Sequence, residues 1–247
     1  MSKTALLDAL HRMDVDRVRE ILRARPDLRE FRDEKDYNLL QICCKRQTMN
    51  DPALAERQVR MAKWFVAEGF DPRMEYTTPP GEDDDDPAVN VSLAWLAVAK
   101  AQNTKLARYM LGQGANPEAL YAAAWWGNAD IIPDLVKHGG ELNTHVGATP
   151  LHMAVGVFTR GTEGKPRVAR QRRETLRVML DLGADPNIPA SDKMTPLHTA
   201  LKKEYFEAFD MLLRHGADPD VSGPEGRTVR EIASRKRDKR WIRRLEE

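Results

Sequence analysis

The chain has 247 residues and an almost balanced charge, with 39 Lys and Arg against 38 Asp and Glu. Apolar residues make up 41% and charged residues 31% of the sequence, which is polar for a globular chain but too apolar for a disordered one. The balance excludes a uniformly basic nucleic-acid coat and a wholly acidic chain. The two cysteines, Cys43 and Cys44, are too few for a disulfide framework or a zinc site of four thiolates.

The amino-terminal segment reaches Asp8 after a very short apolar stretch. It lacks the apolar core and the small-residue cleavage site of a secretory signal. The longest apolar runs, near residues 91–99 and 119–126, are about half the length of a membrane span. These features predict a cytoplasmic protein that does not interact with a membrane.

Apolar residues at helical spacing predict short helices that follow one another in pairs. In the second helix of the first pair these positions are Val15, Val18, Ile21 and Leu22. Near the end of the chain the same pattern consists of Phe206, Phe209, Leu212 and Leu213. A glycine followed by Asp or Asn and Pro ends the pairs at residues 69–72, 114–117, 183–186 and 216–219, with a weaker copy at 139–142. Glycine suits a left-handed helix end, and the proline stops the helix.

Two stretches, 149–154 and 195–200, share the pattern Thr-Pro-Leu-His-x-Ala. Thr149 and Thr195 can cap a helix, and the proline after each suits the first helical position. The pattern resembles the ankyrin repeat, whose period is about 33 residues. Gly183 and Gly216 are 33 residues apart. The resemblance covers nearly the whole chain.

The resemblance implies an all-α fold, an ankyrin-repeat solenoid of about six repeats plus a C-terminal capping repeat, with short β-turn fingers and three inserted loops. We expect a single ankyrin-repeat domain over 1–247, with a cap at 226–247. The repeats start near Thr4, Asn38, Leu93, Glu118, Thr149 and Thr195. The insertions lie near residues 47–56, within 74–90 and near 159–170. The first three repeats depart most from the family pattern. The second and third lack the Thr-Pro pair, and in the third Leu93 stands where threonine belongs.

No catalytic, metal or cofactor site is predicted. His152 and His198 occupy the same place in two repeats, and in the family this histidine is structural and hydrogen-bonds across the turn of its own repeat. The loop 161–166 has too few residues between its glycines for a phosphate loop, and the acidic run 82–86 lacks the spacing of a calcium loop. Cys43 and Cys44 replace the small residues of the repeat, which predicts buried filler. We therefore predict that the protein is not an enzyme and binds no small-molecule substrate.

In the family, the two residues that follow the small pair of the first helix point into the concave face and vary with the partner. Eight of the fourteen residues at these positions are Lys or Arg and none is acidic. The predicted partner-binding set is taken from these positions together with His145 at a turn tip. It consists of Trp125, Trp126, Arg12, Lys45, Arg46, Lys100, His145, Lys202 and Lys203. Lys and Arg at a helix end also complement the helix dipole, so this structural explanation stays open. We expect one of the two tryptophans to pack into the next repeat.

Two insertions have opposite charge. Residues 75–90 carry six acids and no base, and the acidic loop consists of Glu82, Asp83, Asp84, Asp85 and Asp86. Residues 165–177 carry six bases and one acid, within and beyond the basic insert 159–173. Long insertions are often functional, but two solvated surfaces explain the composition equally well.

These features favour a non-enzymatic protein–protein interaction module or scaffold that binds an acidic, partly apolar protein surface in its concave groove. The alternative is an inhibitory binder, such as an immunity or antitoxin protein, that blocks a partner enzyme. Nucleic-acid binding through the basic positions and tryptophan stacking is disfavoured, because the sequence contains no known nucleic-acid module and its total charge is nearly neutral.

Overall fold

The computed structural model describes residues 2–48, 51–77, 90–156 and 166–246, with the backbone alone for residues 90 and 166–169. Short helices dominate these ranges. The chain groups into two compact units, Met1–Ala119 and Leu120–Glu247. The predicted acidic residues 82–86 and the glycine loop 161–165 lie outside the described residues.

The first unit consists of helix pairs and one hairpin. Its helices are α1 (Lys3–His11), α2 (Val15–Ala24), α3 (Leu39–Lys45), α4 (Pro52–Ala67), α5 (Leu93–Trp95) and α6 (Thr104–Gly112). A 3-10 turn at Pro26–Glu30 follows α2, and α5 continues as a π-helical segment, Leu96–Ala101. The antiparallel strands β1 (Glu75–Thr77) and β2 (Asn90–Ser92) pair Tyr76 with Val91. First helices pack on first helices, since α3 contacts both α1 and the π-helical segment.

The second unit repeats the same arrangement. Its helices are α7 (Leu120–Trp126), α8 (Ile132–Lys137), α9 (Pro150–Val155), α10 (Pro166–Asp181), α11 (Pro196–Lys202), α12 (Phe206–Arg214), α13 (Val229–Arg235) and α14 (Arg240–Glu246). Short 3-10 turns at Ala129–Ile131 and Pro224–Gly226 precede α8 and α13. The first helices of the pairs pack in chain order, α7 on α9, α9 on α11 and α11 on α13.

The predicted helix caps are confirmed. Thr149 and Thr195 stand immediately before α9 and α11, and a proline follows each as the first helical residue. Asn38 and Thr228 cap α3 and α13 in the same way, each in a reciprocal pair of hydrogen bonds with the residue three positions later. These caps satisfy backbone N–H groups that a helix start leaves without partners, so each pair begins at a defined residue.

Two of the predicted insertions are partly helical, so less of each is loop than their sequence length suggests. Helix α4 begins at Pro52 because Asp51 caps it, accepting a hydrogen bond of 2.8 Å from the backbone N–H of Leu54. Half of the insertion 47–56 is therefore the first turn of a long helix. Similarly, α10 begins at Pro166 and includes the end of the insertion 159–170. The residues on either side of the range 78–89, which is not described, pair as the antiparallel strands β1 and β2.

Cys43 and Cys44 are fully buried free thiols on α3. Burial raises the pKa of both thiols, because the thiolate would lose its hydration. The prediction that they act as small apolar filler is confirmed.

A buried amide network joins three helices of the first unit. Gln58, on α4, donates hydrogen bonds of 2.8 Å to the carbonyl oxygens of Cys43 and Arg46 at the end of α3. Its own side-chain oxygen accepts one of 2.8 Å from the Asn103 amide, which also donates to the Ala55 carbonyl oxygen at 3.1 Å. Gln58 and Asn103 are both buried. The network thus satisfies carbonyls where α3 ends and ties the caps of neighbouring pairs together.

Replacing Gln58 with Leu tests this network. The variant keeps the volume but removes the side-chain donor of the two α3 carbonyl oxygens and one of the two acceptors of the Asn103 amide. Because unsatisfied buried polar groups are costly, we expect a loss of about 2–4 kcal/mol in the free energy of unfolding, measured by urea denaturation. A matched change at exposed Gln113 should alter it by less than about 0.5 kcal/mol. Equal effects of the two changes would contradict the network's role.

Replacing Gly223 with Ala tests the packing between the last two repeats. Gly223 has an ordinary extended backbone, but an added Cβ would overlap the buried His198 ring. We expect the overlap to destabilise the protein by about 1–3 kcal/mol, seen as a lower urea midpoint. Gly112 in α6 is the control, since an added Cβ there meets nothing within 4 Å and alanine favours a helix. A neutral result at Gly223 would show that the His198 ring moves freely.

Candidate protein-binding site

The predicted basic and aromatic residues lie where the first helices end. We call Arg12, Lys45, Arg46, Lys100, Trp125, Trp126, Lys202 and Lys203 the helix-end residues. Each is one of the last two residues of the first helix of its pair or immediately follows that helix. Their placement follows from the repeat itself, because the small residues before them are buried.

In the first unit the helix-end cations are engaged by neighbours. Lys45 is half-buried, with its ammonium 2.5 Å from the Asp33 carboxylate and 4.1 Å from the centre of the Tyr37 ring. Hydrogen bonds to Lys45 and to the backbone of Tyr37 outweigh burial and keep the pKa of Asp33 below its usual value. Arg12 pairs with Asp8 at 3.2 Å. Charge at these positions is therefore partly neutralised within the chain.

Arg46 and Lys100 are exposed and make weaker contacts. The Arg46 guanidinium donates a hydrogen bond of 3.3 Å to the His11 carbonyl oxygen. The Lys100 ammonium lies 5.6 Å from the centre of the Trp95 ring. Neither forms an ion pair with a carboxylate among the described residues, so their charge stays available to an acidic group.

In the second unit a cleft of about 390 Å³ lies between α11 and α13. Its lining consists of Met194, His198, Leu201, Lys202, Pro224, Glu225, Arg227, Ile232 and Lys236. Lys236 pairs with Glu204 at 3.0 Å, and Arg227 pairs with Glu225 at 2.8 Å. Lys202 is exposed, and its ammonium lies 3.9 Å from the Met194 sulfur. The cleft thus combines an apolar floor with a basic residue that has no ion pair in the described chain.

Both tryptophans at the end of α7 are exposed. Trp125 keeps 40% and Trp126 48% of its surface accessible, whereas the three alanines before them are buried. The expectation that one ring packs into the next repeat stays a prediction, because each tryptophan still has more than half of its surface covered. The buried alanines lie on α7, which packs against α9. Exposed tryptophans are rare on a free surface and typical of protein interfaces.

His145 lies at an exposed turn between α8 and α9. Its Nε2 is 2.9 Å from the Pro189 carbonyl oxygen in the next turn of the second unit. The neighbouring Val146 is 68% exposed, and its backbone N–H donates a hydrogen bond of 2.9 Å to the Tyr121 hydroxyl. The turn tip is thereby held in place while its outer side chains face solvent.

His152 and His198 are structural, as predicted. The Nδ1 atom of His152 lies 2.9 Å from the Thr149 hydroxyl, and that of His198 lies 2.8 Å from the Thr195 hydroxyl. The sequence did not indicate the second half of each interaction. Nε2 of His152 lies 2.9 Å from the Met194 carbonyl oxygen, and Nε2 of His198 lies 3.2 Å from that of Arg227. Each ring therefore bridges its own cap to the turn of the following repeat.

Burial lowers the pKa of both histidines, although the hydrogen bonds to the main-chain carbonyls oppose the shift. The backbone N–H of Thr149 is placed to donate to Nδ1 of His152 at 3.2 Å. This network assigns the neutral ring, with the proton on Nε2. A neutral, buried and fully bonded imidazole has no free nitrogen for catalysis.

In the described ranges, no three His, Cys, Asp or Glu side chains are grouped so that they could hold a metal ion. Among the same residues, no helix has both the length and the apolar character needed to cross a bilayer.

Sequence comparison finds relatives for part of the chain. The family model for ankyrin repeats in many copies matches residues 179–233. Mouse ankyrin repeat and SOCS box protein 16 is 34% identical over 116 residues, which are 46% of this chain and 24% of that protein. The chain thus spans about a quarter of the length of this relative.

Solved structures resemble the whole chain. The ankyrin repeat domain of human ASB11 superposes with a TM-score of 0.70 over 99% of this chain and 98% of that one, at 16% identity. The ankyrin repeat domain of Bcl-3, a member of the IkappaB family, has the same TM-score and identity over 100% and 99%. At this identity the likeness establishes the ankyrin-repeat fold.

The two buried histidines predict a pH dependence of stability. Since their folded-state pKa values lie below the ordinary 6.5, the unfolded chain binds more protons as the pH falls through that value. The free energy of unfolding should therefore decrease below about pH 6.5 and level off, for these groups, below their folded-state pKa values. Urea denaturation between pH 8 and 5 measures the effect.

The double variant His152→Gln, His198→Gln is the comparison. The two glutamines do not titrate in this range. The difference in unfolding free energy between the variant and the native protein should therefore shrink on acidification. We expect the variant to be less stable by about 1–3 kcal/mol per site at pH 8. A difference that stays constant from pH 8 to 5 would contradict the assignment of neutral rings.

Proposed function

Because this chain is an ankyrin-repeat protein, we propose that it is a non-enzymatic interaction module, or scaffold, for a protein partner. Its helix-end residues bind an acidic, partly apolar protein surface. The observation that carries the proposal is the pair of exposed tryptophans, Trp125 and Trp126, at the end of α7. The proposal includes a cytoplasmic location and no nucleic acid, membrane or small-molecule substrate.

The tryptophans supply the apolar part of the interaction. Two indole rings offer a large rigid surface, and their burial by a partner loses little side-chain entropy. Trp is enriched among the few residues that dominate binding energy. Both rings project from a helix whose other side is locked by buried Ala122, Ala123 and Ala124. The anchor is therefore held in position before the partner arrives.

The lysines supply the preference for acidic groups. Lys202 borders the apolar cleft between α11 and α13, in the same unit as the tryptophans, and has no carboxylate partner among the described residues. A carboxylate from the partner would gain an ion pair there without displacing one. Charged groups at such a rim contribute to orientation and association rate more than to affinity.

In the first unit Lys45 contributes less, because Asp33 already neutralises it. Arg46 and Lys100 are the better candidates on that side, since neither is ion-paired within the described residues. The proposal therefore ranks Lys202, Lys100 and Arg46 above Lys45 and Arg12 as groups that meet the partner.

Replacing both tryptophans with Ala tests the anchor. A partner is first isolated by affinity capture with the native protein and then purified for titration calorimetry. We expect the variant to bind at least about tenfold more weakly, since truncating a hot-spot residue costs about 2 kcal/mol or more. The loss should appear mainly in a faster dissociation rate.

Controls separate binding from folding. The exposed rings lie outside the core, so circular dichroism and urea denaturation should show a folded protein with a small change in stability. Val146→Ala removes an exposed apolar side chain elsewhere in the same unit and should leave the affinity unchanged. Unaltered affinity of the tryptophan variant, or an equal loss with Val146→Ala, would remove these rings from the interface.

A further inference from the structure

A second cleft lies in the first unit, with the helix-end residue Arg12 in its lining. It has a volume of about 750 Å³ and is bordered by the α1–α2 turn, the start of α2 and one face of α4. The lining consists of Arg12, Met13, Asp14, Val15, Asp16, Arg19, Arg57, Arg60 and Trp64. Four arginines thus converge on a space that holds two carboxylates.

Both carboxylates of the cleft are occupied within the chain. Asp14 caps α2 and accepts a hydrogen bond of 3.0 Å from the backbone N–H of Arg17. Asp16 pairs with Arg19 at 3.3 Å. Arg19 in turn lies with its guanidinium 5.7 Å from the centre of the Trp64 ring. Asp14 and Asp16 are therefore bonded to residues of α2 and form no ion pair with the arginines of α4.

Arg57 and Arg60 are the arginines of α4 that line the cleft. Among the described residues, neither guanidinium forms a hydrogen bond or an ion pair. Glu56, beside them on α4, pairs with Lys105 and is not part of the lining, and Arg60 lowers its pKa less than Lys105 does. The Nε atom of Arg57 is shielded from solvent without a partner, and the residue is only partly exposed. Since neither guanidinium has an acceptor among the described residues, a carboxylate supplied from outside would gain charge-assisted hydrogen bonds with them.

We propose that this cleft binds an acidic peptide segment of a protein partner, with the partner's carboxylates on Arg57 and Arg60. The spacing of three residues puts both guanidinium groups on one face of α4. The planar guanidinium matches a carboxylate in two parallel hydrogen bonds, which favours a discrete acid over a diffuse charge. Trp64, one turn further along α4, completes the lining and holds the Arg19 guanidinium beside its ring.

A peptide fits this cleft better than a nucleic acid does. A nucleic-acid strand presents an unbroken line of phosphates and needs a basic track, together with free aromatic faces for its bases. In this cleft Asp14 and Asp16 interrupt the basic lining, and Arg19 covers the Trp64 ring. An acidic peptide can space its carboxylates with neutral residues and so avoid those two acids.

The test uses the full chain and a short fluorescein-labelled peptide of alternating glutamate and glycine. Fluorescence anisotropy measures its affinity for the native protein and for the double variant Arg57→Gln, Arg60→Gln. We expect the variant to bind about tenfold more weakly or worse, because both bidentate contacts are lost. The control Arg214→Gln, Arg243→Gln makes the same change in net charge at exposed positions of the second unit and should bind within about twofold of the native protein.

Several results would overturn the proposal. These are no measurable binding to the native protein, unchanged affinity in the Arg57 and Arg60 variant, or an equal loss in the charge-matched control. Tighter binding of a fluorescein-labelled single-stranded oligonucleotide of equal charge would replace the peptide by a nucleic acid. Circular dichroism verifies folding, and a variant that fails to fold is replaced by Arg60→Gln alone, whose side chain is exposed. Trp125→Ala with Trp126→Ala should leave this binding unchanged, which separates the cleft from the tryptophan anchor.

Discussion

The structure depends on buried side chains that hydrogen-bond to the main chain of the neighbouring repeat. A pair of short helices has too little apolar surface to be stable alone, and its ends leave backbone groups without partners. Gln58 meets this need at the end of α3, and His152 and His198 meet it at the turns that precede α11 and α13. Each histidine belongs to one repeat and bonds to a carbonyl oxygen of the next. Gln58 bonds to carbonyls of its own repeat and accepts a hydrogen bond from Asn103 of the following repeat, which also donates to the Ala55 carbonyl oxygen. Burial makes the bonds selective, because any other spacing between repeats would leave the same groups unpaired.

This constraint also determines which residues are left for recognition. The residues between neighbouring first helices must be small, as Ala122–Ala124 and Cys43-Cys44 are, so that the helices can approach. The chain can then place large or charged side chains only where the helix ends. Trp125 and Trp126 lie there with nearly half of each residue's surface accessible, and Lys202 lies at the corresponding position of α11. Recognition residues and packing residues are therefore adjacent in sequence but have separate roles.

Local signals were sufficient for the helix pairs and their caps. Thr149 and Thr195 act through bonds within three residues of themselves, so their sequence pattern alone predicts the cap. The burial of Cys43 and Cys44 follows from their place in the repeat. The same reasoning missed the second bond of each histidine and the network of Gln58, because the acceptors lie 12 to 42 residues away. A glutamine in a polar stretch of helix carries no signal that it is buried.

The sequence by itself predicted the repeat, the ankyrin-repeat fold, the threonine caps and the list of residues at the helix ends. Those properties depend on periodicity and on short-range hydrogen bonds, which a linear pattern contains. Only the tertiary structure decided which of the candidate residues have free charge or accessible surface. It showed that Asp33 neutralises Lys45, that both tryptophans are exposed, and that Arg57 and Arg60 line a cleft without forming an ion pair there. Exposure and ion pairing depend on which side chains of the neighbouring helices lie nearby. The linear sequence does not specify these contacts, because the residues are far apart along the chain.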